Sequence, residues 1–348
     1  MSHVLFESYI IERMPSNPNF PEWLAKLWWR EAWLTLEAAE EAELPPYLGS
    51  TIRGALGHLM RAALCDGAGC GHECQLQKAC RYYALFERNR DGAKPLVLLA
   101  PSPPGLEEIA LGGPVNLPYR TGAPKHSETI PTLRCEAGWK FESGGKLCFG
   151  LRSIGNASNA LVAIIEAISR CGLPLAGRQF RLAAAHDGAG QLLYDRRLPA
   201  VPVQIPAKRN LVVENEVAQR VRVGFLSPSV FKLDQAPTFS PEQFAARFFE
   251  HSIGRAAQMY CACTGVRPPW VDALNMRAEM ISHRLFHYEL PRHSFRQQKW
   301  LDFDGVVGYI EWKGEMSCGM PWARAAEVLH FGQKAVFGLG KVRVLVLE

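Results

Sequence analysis

The strongest constraint on this chain is an order of apolar periodicities that it runs through twice. In the first pass, "EAWLTLEA" (Glu31 to Ala38) alternates and predicts a strand. "PPYLGS" then turns, and Ser50 is placed to cap a helix. Ile52, Ala55, Leu56, Leu59, Met60, Ala63 and Leu64 follow the helical period, so an amphipathic helix is predicted from Ser50 to Leu64. The Pro-rich "APSPPGLEEIALGGPVNLPYRTGAP" reads as loop. "KLCFGLRSIG" predicts a strand, "NASNALVAIIEAISRCG" a helix stopped by Gly172, and "RQFRLAAAH" a strand. After the connector "RRLPAVPVQIPAKRN" the order restarts. "QRVRVGFL" alternates as a strand, and "SPEQFAARFFEHSIGRAAQMY" opens a helix with Ser240 as cap, Pro241 at its first position and Gln243 closing a capping box. "DALNMRAEMISHRLF" predicts a second helix, "GVVGYIEW" a strand, "PWARAAEVLHF" a helix and "KVRVLVL" the last strand. The expected fold class is α+β, as two tandem ferredoxin-like β-α-β-β-α-β domains. Residues 1–190 form the first, with a Cys-rich insertion at 65–80. Residues 191–215 are a linker, and 216–348 form the second, with a Gly-rich loop before its last strand.

A chain of 348 residues, 48% hydrophobic, is long enough for two such cores. Its net charge of +5 permits an anionic partner without requiring one. No span of 18 apolar residues and no leader pattern is present, so the expectation is a cytoplasmic protein with no membrane partner. Ten cysteines in such a setting argue for thiols or metal ligands rather than disulfides. Cys65, Cys70, Cys74 and Cys80 crowd into "CDGAGCGHECQLQKAC" with spacing C-x4-C-x3-C-x5-C. Four thiolates suit a structural zinc, with His72 as a substitute ligand, but the usual C-x2-C pair is missing. A reduced, metal-free loop is the alternative. The other six cysteines read as small core residues.

Several stretches resemble one family in the right order: "LPPYLGSTIRGALGHLMRAALC", "CRYYALFE", "KLCFGLRSIGNASNALVAIIEAI", "VRVGFLSP", "SFRQQKWLDFDGVVGYIEWKG" and "LHFGQKAVFGLGKVRV". The family is that of CRISPR-associated RNA-processing endoribonucleases, of the repeat-associated mysterious protein superfamily. The resemblance runs from about Trp33 to Val346, and the final Gly-rich loop is its hallmark. It implies cleavage of CRISPR precursor RNA within its repeats with no cofactor for catalysis. The 2′-hydroxyl attacks its own phosphate, leaving a 2′,3′-cyclic phosphate and a 5′-hydroxyl. It also implies partners: precursor and mature guide RNA, and other CRISPR-associated proteins of an interference complex. Two other readings stay open, a non-catalytic subunit of the same superfamily that holds guide RNA and a zinc-containing RNA-binding adaptor.

This reaction needs a base, an acid and cations for the phosphorane, and histidine suits the first two. His58 is the first candidate. It lies with Gly54, Gly57 and Arg61 on the polar face of its helix, where two glycines suggest a close approach, and Arg53 adds a cation on the same helix. His330, just before the Gly-rich loop, is the second candidate, or else a histidine that orders that loop. Tyr47 either orients a catalytic group or packs. In the loop, Gly338 and Gly340 free backbone N–H groups beside Gln333, Lys334 and Lys341, as a phosphate nest does, or serve only a tight turn. "HRLFHYELPRHSFRQQKW" interleaves Arg284, Arg292, Arg296 and Lys299 with aromatic residues, which suits RNA or a solvated face.

Overall fold

The computed structural model describes residues 21–65, 80, 82–87, 93–116, 118–124, 130–211, 216–230, 232–233, 236–237, 240–269, 274, 276–294 and 299–347. The elements used below are, in chain order, α1 (Glu22–Ala25), β1 (Trp28–Ala38), α2 (Gly49–Leu64), β2 (Leu96–Leu99), α3 (Leu106–Ala110), β3 (Tyr119–Gly122), β4 (Thr132–Cys135), β5 (Lys146–Ile154), α4 (Asn159–Cys171), β6 (Arg178–Asp187), β7 (Leu192–Asp195) and β8 (Arg209–Asn210). There follow β9 (Arg220–Ser229), α5 (Pro241–Thr264), β10 (Arg277–Tyr288), β11 (Pro291–Ser294), β12 (Lys299–Asp302), β13 (Gly305–Glu315), α6 (Met320–Leu329) and β14 (Val342–Val346). Among the described residues no helix is long and apolar enough to cross a membrane.

The fold is mixed α+β, built on two sheets. The first has the order β7-β6-β1-β5-β2, with β8 against β1; the second has the order β14-β9-β13-β10-β4-β3. In β1, alternate residues Ala32, Leu34 and Leu36 are fully buried and share a core with Ile52 and Leu56 of α2 and Ile164 and Ile168 of α4. That alternation is the period-2 pattern read in the sequence, and one face of the sheet is thereby filled by helices. The other face is partly covered by the second half of the chain. Trp29, Val97, Leu99 and Ile154 lie in one cluster with Val221, Phe225, Phe248 and Leu329.

Four expectations are corrected. Of the helix expected over Asp272 to Phe286, the part from Arg277 is instead β10, paired antiparallel with β13 from Arg277↔Glu315 to Tyr288↔Gly305. Ala278, Glu279, Met280 and Leu285 favour helices in isolation, but pairing along a whole strand outweighs a propensity of tenths of a kcal/mol per residue. The Pro-rich stretch is not all loop, since it forms α3 and β3. β3 and β4 join the second sheet through a parallel pairing of His287 with Thr132. The expected linker contributes β7 and β8 to the first sheet, so the halves interleave. Cys148 and Cys171 are exposed, and Cys135, Cys261, Cys263 and Cys318 are half-buried, not core residues. A smaller difference concerns α5. Ser240 is its N-cap residue, but its hydroxyl donates to the Glu242 carboxylate at 2.8 Å in place of a cap bond.

Candidate nucleic-acid interface

The Gly-rich loop begins where α6 ends. His330 takes φ 61° and ψ 151°, which a helix cannot continue. Its side chain is fully buried, and Nδ1–H donates to the Leu339 carbonyl at 3.0 Å. Burial first, then Arg152, Lys341 and Arg255, push its pKa well below the ordinary 6.5, so the ring is neutral. Solvent does not reach the ring, which ties the loop to Leu339, and its buried Nε2 has no hydrogen-bond partner among the described residues.

The expected nest is also corrected. The N–H groups of Phe331, Gln333, Phe337, Gly338 and Gly340 donate to the carbonyls of Gly340, Val230, Lys334, Ala335 and Pro228, and the N–H of Lys341 donates to Ser227 Oγ. Gly338 and Gly340 are buried. A Cβ on Gly340 would stand 1.8 Å from the Phe331 oxygen, at φ +73°. These glycines serve the tight turn rather than an open phosphate cradle.

The loop is fastened to the start of α2. Tyr47, buried, donates its hydroxyl to the Phe337 carbonyl at 2.8 Å, and burial holds its pKa well above the usual phenol value. A Cβ on Gly49 would stand 1.9 Å from the same carbonyl oxygen, so only glycine lets helix and loop touch there. Tyr47 is thus a strut between α2 and the loop. Arg53 is also committed, donating to the Phe86 carbonyl at 2.9 Å with its guanidinium 4.3 Å from the Phe86 ring. Gly57 leaves room for that guanidinium, 2.8 Å from where its Cβ would be. A Cβ on Gly54 would meet nothing among the described residues. His58 and Arg61 are exposed, nine and twelve residues beyond Gly49. At 1.5 Å per residue, His58 lies about 13 Å along the helix from the loop contact.

The residues expected to meet RNA are held in different ways. Gln333 is exposed, and Lys334, at φ 64°, places Nζ 4.2 Å from the centroid of the Phe303 ring, which packs on Phe337 at 5.1 Å. Lys341 is held by Glu107 at 2.6 Å, with Arg343 3.5 Å from the same carboxylate. Burial pushes the Glu107 pKa up, but Lys341, the Ser102 hydroxyl and Arg343 together draw it below the usual value. Arg284 donates to the Gly113 carbonyl at 2.6 Å. β11 and β12 pair as a ribbon, Arg292↔Leu301 to Ser294↔Lys299, which sets the backbone of Arg292 and Lys299. The side chains of those two residues, all of Arg296, and Cys70, His72 and Cys74 lie outside the described residues. Cys65 follows the end of α2, and Cys80 Sγ accepts from the Tyr83 amide at 3.4 Å. Among the described residues no group of three His, Cys, Asp or Glu side chains could hold a metal.

Two features were missed in the sequence. Glu107 had a signal, because Leu106, Ile109 and Ala110 have helical spacing inside the Pro-rich stretch. Arg152 had none. It donates to Glu31, which lies 121 residues away, and to the carbonyls of Glu327 and Val328 at 2.7 and 3.1 Å. Arg255, half-buried and with its pKa lowered to about 10 by desolvation, adds a bond to the Leu329 carbonyl at 3.4 Å. The open carbonyls that end α6, just before the Gly-rich loop, are thus met by two arginines, one from each sheet's half.

Residues 27–202, just over half of the chain, match the family AF_1859_N, described as an N-terminal domain. Residues 223–342 match the family CRISPR_Cas6, described as CRISPR-associated endoribonuclease Cas6. No curated protein matches the sequence. Among solved structures, a partial Cas6-RT-Cas1–Cas2 complex is similar at 10% identity, over 94% of this chain and 46% of that one, with a TM-score of 0.52. Thermus thermophilus Cas6 is similar at 13% identity, over 92% and 99% of the two chains, with a TM-score of 0.49. A Cas6-related protein from Pyrococcus furiosus is similar at 13%, over 92% and 100%, with a TM-score of 0.45. The first of these supports a shared fold.

Proposed function

Given that the chain belongs to the AF_1859_N family through its first half and to the CRISPR-associated endoribonuclease Cas6 family through residues 223–342, we propose that it cleaves CRISPR precursor RNA within its repeats. One observation carries the assignment of roles. His58 and Arg61 stand exposed on a helix whose first turn is fastened to the Gly-rich loop. His58 takes the proton of the 2′-hydroxyl, and the freed oxygen attacks the adjacent phosphorus. The bond to the 5′-oxygen breaks, that oxygen takes a proton from water and leaves as a 5′-hydroxyl, the protonated His58 gives its proton back to solvent, and a 2′,3′-cyclic phosphate remains. Arg61, three residues from His58, offsets charge on the phosphorane, and Lys334 on the loop meets another phosphate of the strand. His330 and Tyr47 hold the loop in place. No metal takes part in these steps.

The strand order supports the ferredoxin-like reading of both halves. In each sheet the four main strands lie fourth, first, third, second, with α2 and α4 or α5 and α6 as crossovers. Four thiolates at Cys65, Cys70, Cys74 and Cys80 would suit a structural zinc, which would fold the insertion and supply no chemistry. The Cas6-RT-Cas1–Cas2 complex supports other CRISPR-associated proteins as partners.

The test is single-turnover cleavage of repeat RNA in EDTA. Wild type should cut, and a 2′-deoxy at the cut site should stop it. His58→Ala should bind RNA but cut about 100-fold more slowly or worse. Wild-type cleavage by His58→Ala would remove the role given to His58. Because two of the three proton-transfer candidates are buried, the competing reading is a non-catalytic guide-binding subunit. Tight binding with no cleavage by the wild type would establish that reading instead.

A further inference from the structure

The start of β1 and the segment before β8 together build a surface that neither the Gly-rich loop nor α2 explains. β8 lies against β1 with Trp28↔Asn210 and Trp29↔Arg209 in register. This brings Lys208 Nζ to 4.8 Å and the Arg30 guanidinium to 5.8 Å from the Trp28 ring centroid, within cation–π range. Lys26, Lys208 and Arg209 are exposed, and Trp28 is half-buried. Arg30 is fixed by its bond to the Pro206 carbonyl, while its buried Nε has no hydrogen-bond partner among the described residues. Glu22 is exposed four residues before Lys26, and two other nearby acids are already occupied. Glu31 accepts from Arg152 and Trp33, and Asp187 accepts from the amides of Ala189, Gln191 and Ala207, with Arg209 close enough to lower its pKa. Asp187 thus partly offsets Arg209, and the excess of cations rests on Lys26, Lys208 and Arg30.

The segment leading to Lys208 adds a second kind of surface. Leu198, Val201 and Ile205 are 51%, 50% and 59% exposed, and Leu192 at the sheet edge is 40% exposed. In this proline-rich stretch the exposed Leu198, Val201 and Ile205 stand ten, seven and three residues before Lys208. A small anion has no use for the apolar positions, and an apolar peptide has none for the cations. A single-stranded nucleic acid carries both complements, a charged backbone and flat apolar bases.

We propose that Trp28, Lys26, Lys208 and Arg209, with the exposed aliphatic side chains of residues 198–205, form an exosite for single-stranded RNA. It takes a strand flanking the segment that is cut. The indole holds Lys208 in place for a phosphate, and the exposed part of its ring meets a base. The choice of RNA over another single strand rests on the function proposed above, whereas the site itself rests on this surface.

The experiment uses the full chain and a 12-nucleotide oligouridine, which has no repeat and no cut site, followed by fluorescence anisotropy across a salt series. Wild type should bind. Lys26→Ala/Lys208→Ala should bind more weakly, with its salt slope reduced by about 1.4, from roughly 0.7 per phosphate contact on a single strand. Trp28→Leu should lose affinity by about 5-fold to about 150-fold, the range for one stacked base. Both lysines are on the surface, so the double variant should keep the wild-type melting temperature and stands as the test if Trp28→Leu folds poorly. Cleavage of repeat RNA is measured separately and should proceed at the wild-type rate at saturating RNA in the lysine variant. Failure of the wild type to bind oligouridine, or equal affinities and slopes for wild type and the lysine variant, overturns the exosite. Failure of the wild type to cut repeat RNA, with oligouridine binding still lost in the variant, overturns the proposed cleavage and leaves the exosite standing.

Discussion

Replacing Arg152 by Ala tests how the two halves of the chain are held together. The Arg152 side chain is 16% exposed and that of its partner Glu31 is 6% exposed. The change removes an ion pair and two bonds to the carbonyls that close α6. Water cannot readily take over, so Glu31 is left as a buried charge whose remaining donor is Trp33 Nε1 at 2.7 Å. Breaking one partner of a buried pair costs about 3–5 kcal/mol. The two α6 carbonyls stand at a helix end and are partly accounted for in that figure, so the expected loss is at the same level. The assay is equilibrium urea unfolding, in which the midpoint should fall while the slope stays constant. Arg152→Lys should recover only part of the loss, because an ammonium lacks the planar fork that meets a carboxylate and two carbonyls at once. The double change Arg152→Ala/Glu31→Gln should be less damaging than the two single effects added together, because the orphan charge is gone. A loss below about 1 kcal/mol for Arg152→Ala, or strict additivity in the double variant, would refute the reasoning.

Four further outcomes follow from the same geometry. Gly340→Ala should cost at least about 2 kcal/mol by thermal melting, since it combines a left-handed backbone with a Cβ placed on the Phe331 oxygen; a neutral change would mean that the turn relaxes freely. The folded-state pKa of His330 lies below its unfolded value, so its contribution to stability is present above about pH 6.5 and is lost as pH falls, because the unfolded chain takes up a proton that the folded chain refuses. His330→Gln should flatten that part of the stability–pH curve, and superimposable curves would remove the argument. Glu107→Gln should free Lys341 and Arg343 and tighten repeat-RNA binding by about 2- to 5-fold, the size of a half-exposed ion pair; weaker binding would show that Glu107 positions these cations rather than competing for them. Elemental analysis of the purified protein should give about one zinc per chain, falling in Cys80→Ser, and a stable metal-free protein with free thiols would end the zinc proposal.

The sequence by itself determined the elements whose periodicity is strong and local. β1, α2, β5, α4, β6, β9, α5, β13, α6 and β14 all fall where alternation or helical spacing placed them, because each buries one face that its own residues define. It also marked the Gly-rich loop before the last strand, since φ values of +72° to +79° at Gly332, Gly338 and Gly340 leave few residue choices. What the loop's glycines are for was not legible. Whether their N–H groups face a ligand or the protein depends on where the Pro228 and Val230 carbonyls lie, over 100 residues away. The sequence ranked His58 ahead of His330 and offered loop-ordering for His330, but only packing shows the first exposed and the second sealed against Leu339. Strand β10 was misread because its residues prefer helices and only β13, paired beside it, makes the extended form cheaper. Arg152 with Glu31, Lys341 with Glu107, and Lys208 with Trp28 are pairs distant in sequence that carry no local signal. Tertiary structure alone decided them, because a charge finds its partner through the geometry of the packed chain and not through its neighbours along it.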